Sequence, residues 1–145
     1  MPNKVSTEYE EFLIANRIKV NKYMNKVLWF FILAGPAIAL AIKFGLFSEV
    51  KYITCIIISV VLAILAAFHL FLCKKIPGKA ITFFFALTTL DAVLLYMSCH
   101  NVGIYICWFI VPLLSLLFCE KYLYFYANGL NYILLLIKLQ SENHK

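Results

Sequence analysis

The sequence predicts an all-α fold: a polytopic membrane bundle of about five transmembrane helices, led by an amphipathic helix on the cytoplasmic side. Three observations predict it. Apolar residues make up 64% of the 145-residue chain and charged residues only 14%, against about 45–50% and about 25% in ordinary soluble domains. A soluble chain this small could not bury so much apolar surface. The apolar residues also fall in blocks, several near the roughly 20 residues that a helix needs to cross the hydrocarbon layer. The basic residues cluster between those blocks, where they act as topology signals.

Residues 1–26 form the lead-in. Thr7 and Glu10 stand at capping-box spacing, and neither Gly nor Pro interrupts 7–26. Leu13, Val20, Met24 and Val27 recur at helical spacing, while Arg17, Lys19, Lys22 and Lys26 supply positive charge. Such a helix can lie on anionic lipid, meet a partner, or simply be solvated.

The bundle occupies 27–137. The first span, 27–47, carries Gly35-Pro36 near its middle. Pro36 has no N–H to donate to the Ile32 carbonyl, so a bend is expected there. Lys43 can snorkel to the far head groups. The second span, 52–73, ends in a basic turn with Lys74, Lys75 and Lys79, and Pro77-Gly78 suits a type II turn. The third is 81–98. The fourth, 103–118, contains Pro112, a second bend candidate. The fifth, 122–137, is interrupted by Asn128, Gly129 and Asn131, and a polar tail, 138–145, follows. With the N-terminus inside, nine Lys and Arg lie on the inner side and four on the outer. The positive-inside rule therefore predicts a cytoplasmic N-terminus in the cell membrane. Five spans then leave the C-terminus outside.

Asp91 is the most informative residue, because a carboxylate in mid-span costs roughly 2.5–3.5 kcal/mol on insertion scales and turns toward the bundle interior. Thr88, Asp91, Leu95 and Ser98 form a partly polar stripe on the third span. Tyr124, Asn128 and Asn131 form another on the fifth. Asp91 and Asn131 are nearly equally far into their spans, so at about 1.5 Å per residue they share a depth. They can pair if these spans are neighbours. The stripes suit a pocket for a small ligand or a proton, or inter-helix polar contacts worth roughly 0.6–2 kcal/mol each; the residue types favour the latter.

Several classes are excluded. The net charge is +6, but no nucleic-acid motif accompanies it, so no nucleic-acid partner is expected. The five cysteines form no C-x-x-C pair. Cys99, His100 and Cys107 could meet at one membrane face as a soft-metal site, although buried cysteine more often serves as a small apolar residue. No metal and no cofactor are expected. H-E-x-x-H, Walker A and G-x-G-x-x-G motifs are all absent, so the chain is not expected to be an enzyme.

Asn16-Arg17 with the basic run to Lys26, Leu28-Trp29-Phe30-Phe31 through Gly35-Pro36-Ala37, Val111-Pro112 to Phe118, and Leu130-Asn131-Tyr132-Ile133 form a pattern. It resembles the N-terminal multi-pass membrane region of clostridial-type bacterial signalling proteins. There, such a region precedes a methyl-accepting chemotaxis module or a GGDEF diguanylate cyclase. The likeness covers about residues 10–137. It implies a non-catalytic sensory input region in the bacterial inner membrane, passing helix repacking to a cytoplasmic partner or output module. No output motif is present, and the family arrangement returns the chain to the cytoplasm. The expectation is thus a member that stops before a sixth span. The alternative is a small oligomeric channel or transporter subunit. Expected partners are the lipid bilayer, anionic head groups at the Lys/Arg clusters, a cytoplasmic signalling partner and a second copy of the chain.

Overall fold

The structure, a computed structural model, describes residues 4–102 and 108–143. Among them the chain is helical, with no strand. The helices are α1 (Lys4–Phe31), α2 (Ala34–Lys43), α3 (Tyr52–Lys75), α4 (Ala80–Cys99), α5 (Ile110–Leu116) and α6 (Lys121–Asn143). Three helical stretches are long and apolar enough to cross a membrane: Ser6–Lys43, Tyr52–Lys75 and Ala80–Cys99. α6 has the length, at 23 residues, but its asparagines and tyrosines keep it below that apolarity. It also absorbs most of the tail expected to follow it. α5 has seven residues, about 10 Å of helix. Part of the fourth expected span, 103–107, lies outside the described residues.

α3 runs antiparallel to α1 and α2, so that Asn25 meets Ala66 and Ile32 meets Ser59. A short turn reverses the chain into α4, with Lys79 N–H donating to the Ile76 carbonyl and Gly78 at φ +72°. That positive φ is why glycine follows Pro77. α4 and α6 run parallel and in contact, while Phe118, just before α6, stacks near Phe83 at the start of α4. The start of α6 therefore lies level with the start of α4. Two apolar clusters fill it. The inner one joins Met24, Leu28, Phe83, Leu87, Val111 and Phe118. The outer one joins Ile38, Ile58, Leu62, Val93, Met97 and Val102.

α4 ends in a Schellman motif. Asn101 sits at φ +64°, its N–H donating to the Ser98 carbonyl, and Val102 N–H donates to the Met97 carbonyl. Buried Val102 and Met97 supply the accompanying apolar contact. The outward side of α3 is a row of exposed apolar residues: Ile53, Ile56, Val60, Ile64, Phe68 and Phe71. So large an apolar strip suits hydrocarbon rather than water.

Two expected bends differ from the sequence reading. The break falls at Ile32–Leu33, one turn before Pro36, which occupies the first turn of α2. The missing N–H frees the Ile32 carbonyl, and the Ser59 hydroxyl donates to it at 2.9 Å. Gly35 lies against α3 at this point: an added Cβ would collide with the Ser59 hydroxyl and the Cys55 carbonyl. The bend is thus sealed by the neighbouring helix. Pro112 follows a 3₁₀ turn at 108–109. It sits in the first turn of α5, where no N–H is required of it.

Gly35→Ala is expected to cost about 1–3 kcal/mol by forcing α2 off α3. Ser59→Ala is expected to cost about 0.6–1.7 kcal/mol, the range for inter-helix hydrogen bonds in membranes. Unfolding in mixed detergent–SDS micelles measures both. A neutral Gly35→Ala would contradict the close approach.

Candidate functional site: two polar constellations in the bundle

The mid-bundle constellation is built on α4 and α6. Asn131 Nδ2 donates to Asp91 Oδ1 at 3.0 Å, and both residues are buried. The second carboxylate oxygen, Oδ2, is buried without a partner among the described residues. Thr88 does not join them. Its hydroxyl lies 3.0 Å from the Tyr126 hydroxyl on the outer side of the same helix pair. Asn128 is half-buried and donates to the carbonyl of Tyr124, one turn earlier on its own helix, at 2.7 Å. Tyr124 is exposed. Of the five polar residues singled out by the sequence, the structure therefore brings only Asp91 and Asn131 together. The reason is rotational. The buried face of α6 follows Leu123, Ala127, Asn131 and Lys138, so Asn128 points about 100° away from Ala127.

The second constellation was missed by the sequence reading. It runs up the inward face of α1. Asn16 Nδ2 donates to the Leu117 and Phe118 carbonyls at 3.2 and 3.0 Å, capping carbonyls that α5 leaves free at its end. Arg17 makes a bidentate pair with Glu120, through Nε to Oε1 and Nη2 to Oε2, and its Nη1 lies 3.4 Å from the Gly78 carbonyl. The Glu120 partner holds the guanidinium above its ordinary pKa. One turn higher, Asn21 Nδ2 donates to the Thr82 hydroxyl at 2.7 Å, which donates to the Lys79 carbonyl at 2.8 Å. Above it, Asn25 Nδ2 donates to the Ala66 carbonyl at 2.9 Å and lies 3.2 Å from His69 Nδ1. His69 Nε2 is 3.5 Å from the Cys73 sulfur. The sequence did hold a signal: Arg17, Asn21 and Asn25 recur every four residues, on the face that also carries Met24 and Leu28.

The lead-in helix is therefore not simply a solvated or lipid-lying segment. From Val20 onward its inward face belongs to the core. Among the described residues no three His, Cys, Asp or Glu side chains group as metal ligands. Cys99 is exposed, His100 Nδ1 lies 2.9 Å from the Tyr96 carbonyl, and Cys107 falls outside the described residues. What the two constellations can do is mechanical. Each joins helices through directional contacts that favour one packing over another. Compared with known proteins, the chain matches no family model, no curated protein and no solved structure.

Two thermodynamic outcomes follow from this geometry. A double-mutant cycle of Asp91→Leu with Asn131→Leu is expected to give a coupling of about 0.6–1.7 kcal/mol. Zero coupling would mean the two side chains do not meet in the folded bundle. Glu120→Ala is expected to cost about 1.5–3 kcal/mol, as a charge-assisted pair is removed. Arg17→Lys should lose much of the same stability, because an ammonium cannot form the two-pronged contact. Stability equal to the unsubstituted chain in Arg17→Lys would rule the bidentate geometry out.

Proposed function

We propose that the chain is the membrane-embedded input region of a bacterial signal-transduction protein. In this reading it is multi-pass in the cell membrane, has a cytoplasmic N-terminus and performs no catalysis. It passes helix repacking to a cytoplasmic partner. The observation that carries the reading is the continuity of α1. One unbroken helix runs from Lys4 to Phe31, with its upper half packed in the bundle core. Its early turns, from Glu8 to Phe12, are exposed, Tyr9 and Phe12 among them. Just above them, Asn16 and Arg17 tie α1 to the α3–α4 turn and to the segment preceding α6. Rotation or separation of α4 and α6 would pull directly on these ties and swing the early turns of α1. Such a switch needs a stimulus that binds two packings unequally. The Asp91–Asn131 contact is the place where α4 and α6 can be biased.

A second reading, a small oligomeric channel or transporter subunit, has one observation in its favour. The unpartnered Asp91 oxygen is the kind of group that lines a water or ion path when copies assemble. Cysteines placed singly at positions 88, 91 and 95 separate the two readings. In the input region, position 91 stays unlabelled by a membrane-impermeant thiol reagent. In a pore it labels.

For the input reading, a photo-crosslinker at Phe12 in the native membrane is expected to capture a cytoplasmic partner. The crosslinking yield should change in Asp91→Asn while membrane insertion does not. The same yield in both chains would remove Asp91 from any signalling role.

A further inference from the structure

The side of α1 turned away from the bundle carries a single ordered stripe. Lys19, Lys22 and Lys26 are all exposed on it, followed by Trp29, Phe30 and Leu33, also exposed. The intervals of three and four keep these residues on one helix face. The three ammonium groups are not neutralised by the fold. Glu120, the acidic side chain bonded to this helix, is committed to Arg17. Glu8, Glu10 and Glu11 lie at least eight residues below Lys19, about 12 Å along the helix, beyond a Debye length of about 8 Å.

From Lys19 to Phe30 the stripe spans about 16 Å of helix, and Leu33 lies in the break just above it. That fits within one leaflet of a bilayer about 40–45 Å thick with its head groups. Its order, cationic below and aromatic then aliphatic above, is complementary to one molecule: an anionic phospholipid with its phosphate toward Lys19–Lys26 and its acyl chain along Phe30 and Leu33. An acidic polynucleotide or peptide would satisfy the lysines but leave the apolar upper half uncovered.

We propose that this face of α1 is an anionic-phospholipid site. It rests on the reading of α1 as the inner-leaflet entry of a membrane bundle, and it names the leaflet's anionic lipid as the regulator of that region. The leaflet attracts the lysine half of α1 and repels the half carrying Glu8, Glu10 and Glu11. The anionic lipid content thereby sets the angle at which the early turns of α1 leave the membrane.

The test uses the full chain in nanodiscs of phosphatidylcholine with a minority of phosphatidylglycerol, one or the other lipid brominated in its acyl chains. Trp29 is the reporter, and Trp29→Phe supplies the background from Trp108. Brominated phosphatidylglycerol is expected to quench Trp29 preferentially, by about fivefold for one fully engaged lysine. The preference should vanish in K19Q/K22Q/K26Q. It should persist when the same positions are Arg, and persist in K74Q/K75Q/K79Q. Equal quenching by the two lipids overturns the proposal. So does a preference that survives K19Q/K22Q/K26Q, or one abolished by K74Q/K75Q/K79Q alone. If neither lipid quenches Trp29, the membrane placement of α1 fails as well. If quenching is equal but present, that placement stands and only the lipid site falls.

Discussion

The Arg17 guanidinium donates to both carboxylate oxygens of Glu120 and reaches the Gly78 carbonyl, so one side chain joins three segments remote in sequence. The end of the bundle at the α3–α4 turn depends on that contact. In hydrocarbon, apolar side chains gain nothing by leaving lipid for one another, so helix association relies on packing, polar contacts and close backbone approach. The pair is only partly exposed on both sides, which makes it stronger than a surface ion pair. Without it, α1 would be held to the turns beside it by Asn16, Asn21 and apolar contacts alone. The α1 column then rises through Asn21 and Asn25 in one-turn steps, each bonded to a different neighbour. Helix register is thereby specified at three heights.

Elsewhere in the bundle the same economy recurs. A broken helix must satisfy the carbonyl that proline leaves free, and Ser59 does this at Ile32 only because Gly35 lets α2 approach α3 closely. The bend and the close approach are therefore one device. At mid-bundle, Asn131 satisfies one Asp91 oxygen and leaves the other bare. A half-satisfied polar pair in a low-dielectric interior is a sensitive element. It holds α4 to α6, yet it retains an oxygen that a change of packing could satisfy better.

Much of the local structure was legible from residue chemistry. Pro36 predicted a freed Ile32 carbonyl, and the carbonyl is found bonded to Ser59. Pro77-Gly78 predicted the tight reversal into α4. Equal depth along two spans predicted that Asp91 and Asn131 could meet. Less legible was which side of a helix faces inward. On α6 the polar stripe through Tyr124 and Asn128 was chosen over the apolar line through Leu123 and Ala127, one residue earlier. On α1 the lysines mark the outer face, while Asn21 and Asn25, on which no expectation was placed, line the core. Pro112, expected inside a long span, stands in the opening turn of the short α5.

By itself, the sequence determined the all-helical class, the lengths of the apolar segments and the groups that must be hidden or paired, because each depends on composition and spacing within one segment. The tertiary structure alone decided the rotation of each helix, the partners of Arg17, Asn21, Asn25 and Ser59, and the parallel contact of α4 with α6. Those depend on which surfaces approach within hydrogen-bond distance. Residues 61 to 103 positions apart in the chain cannot announce that they will meet.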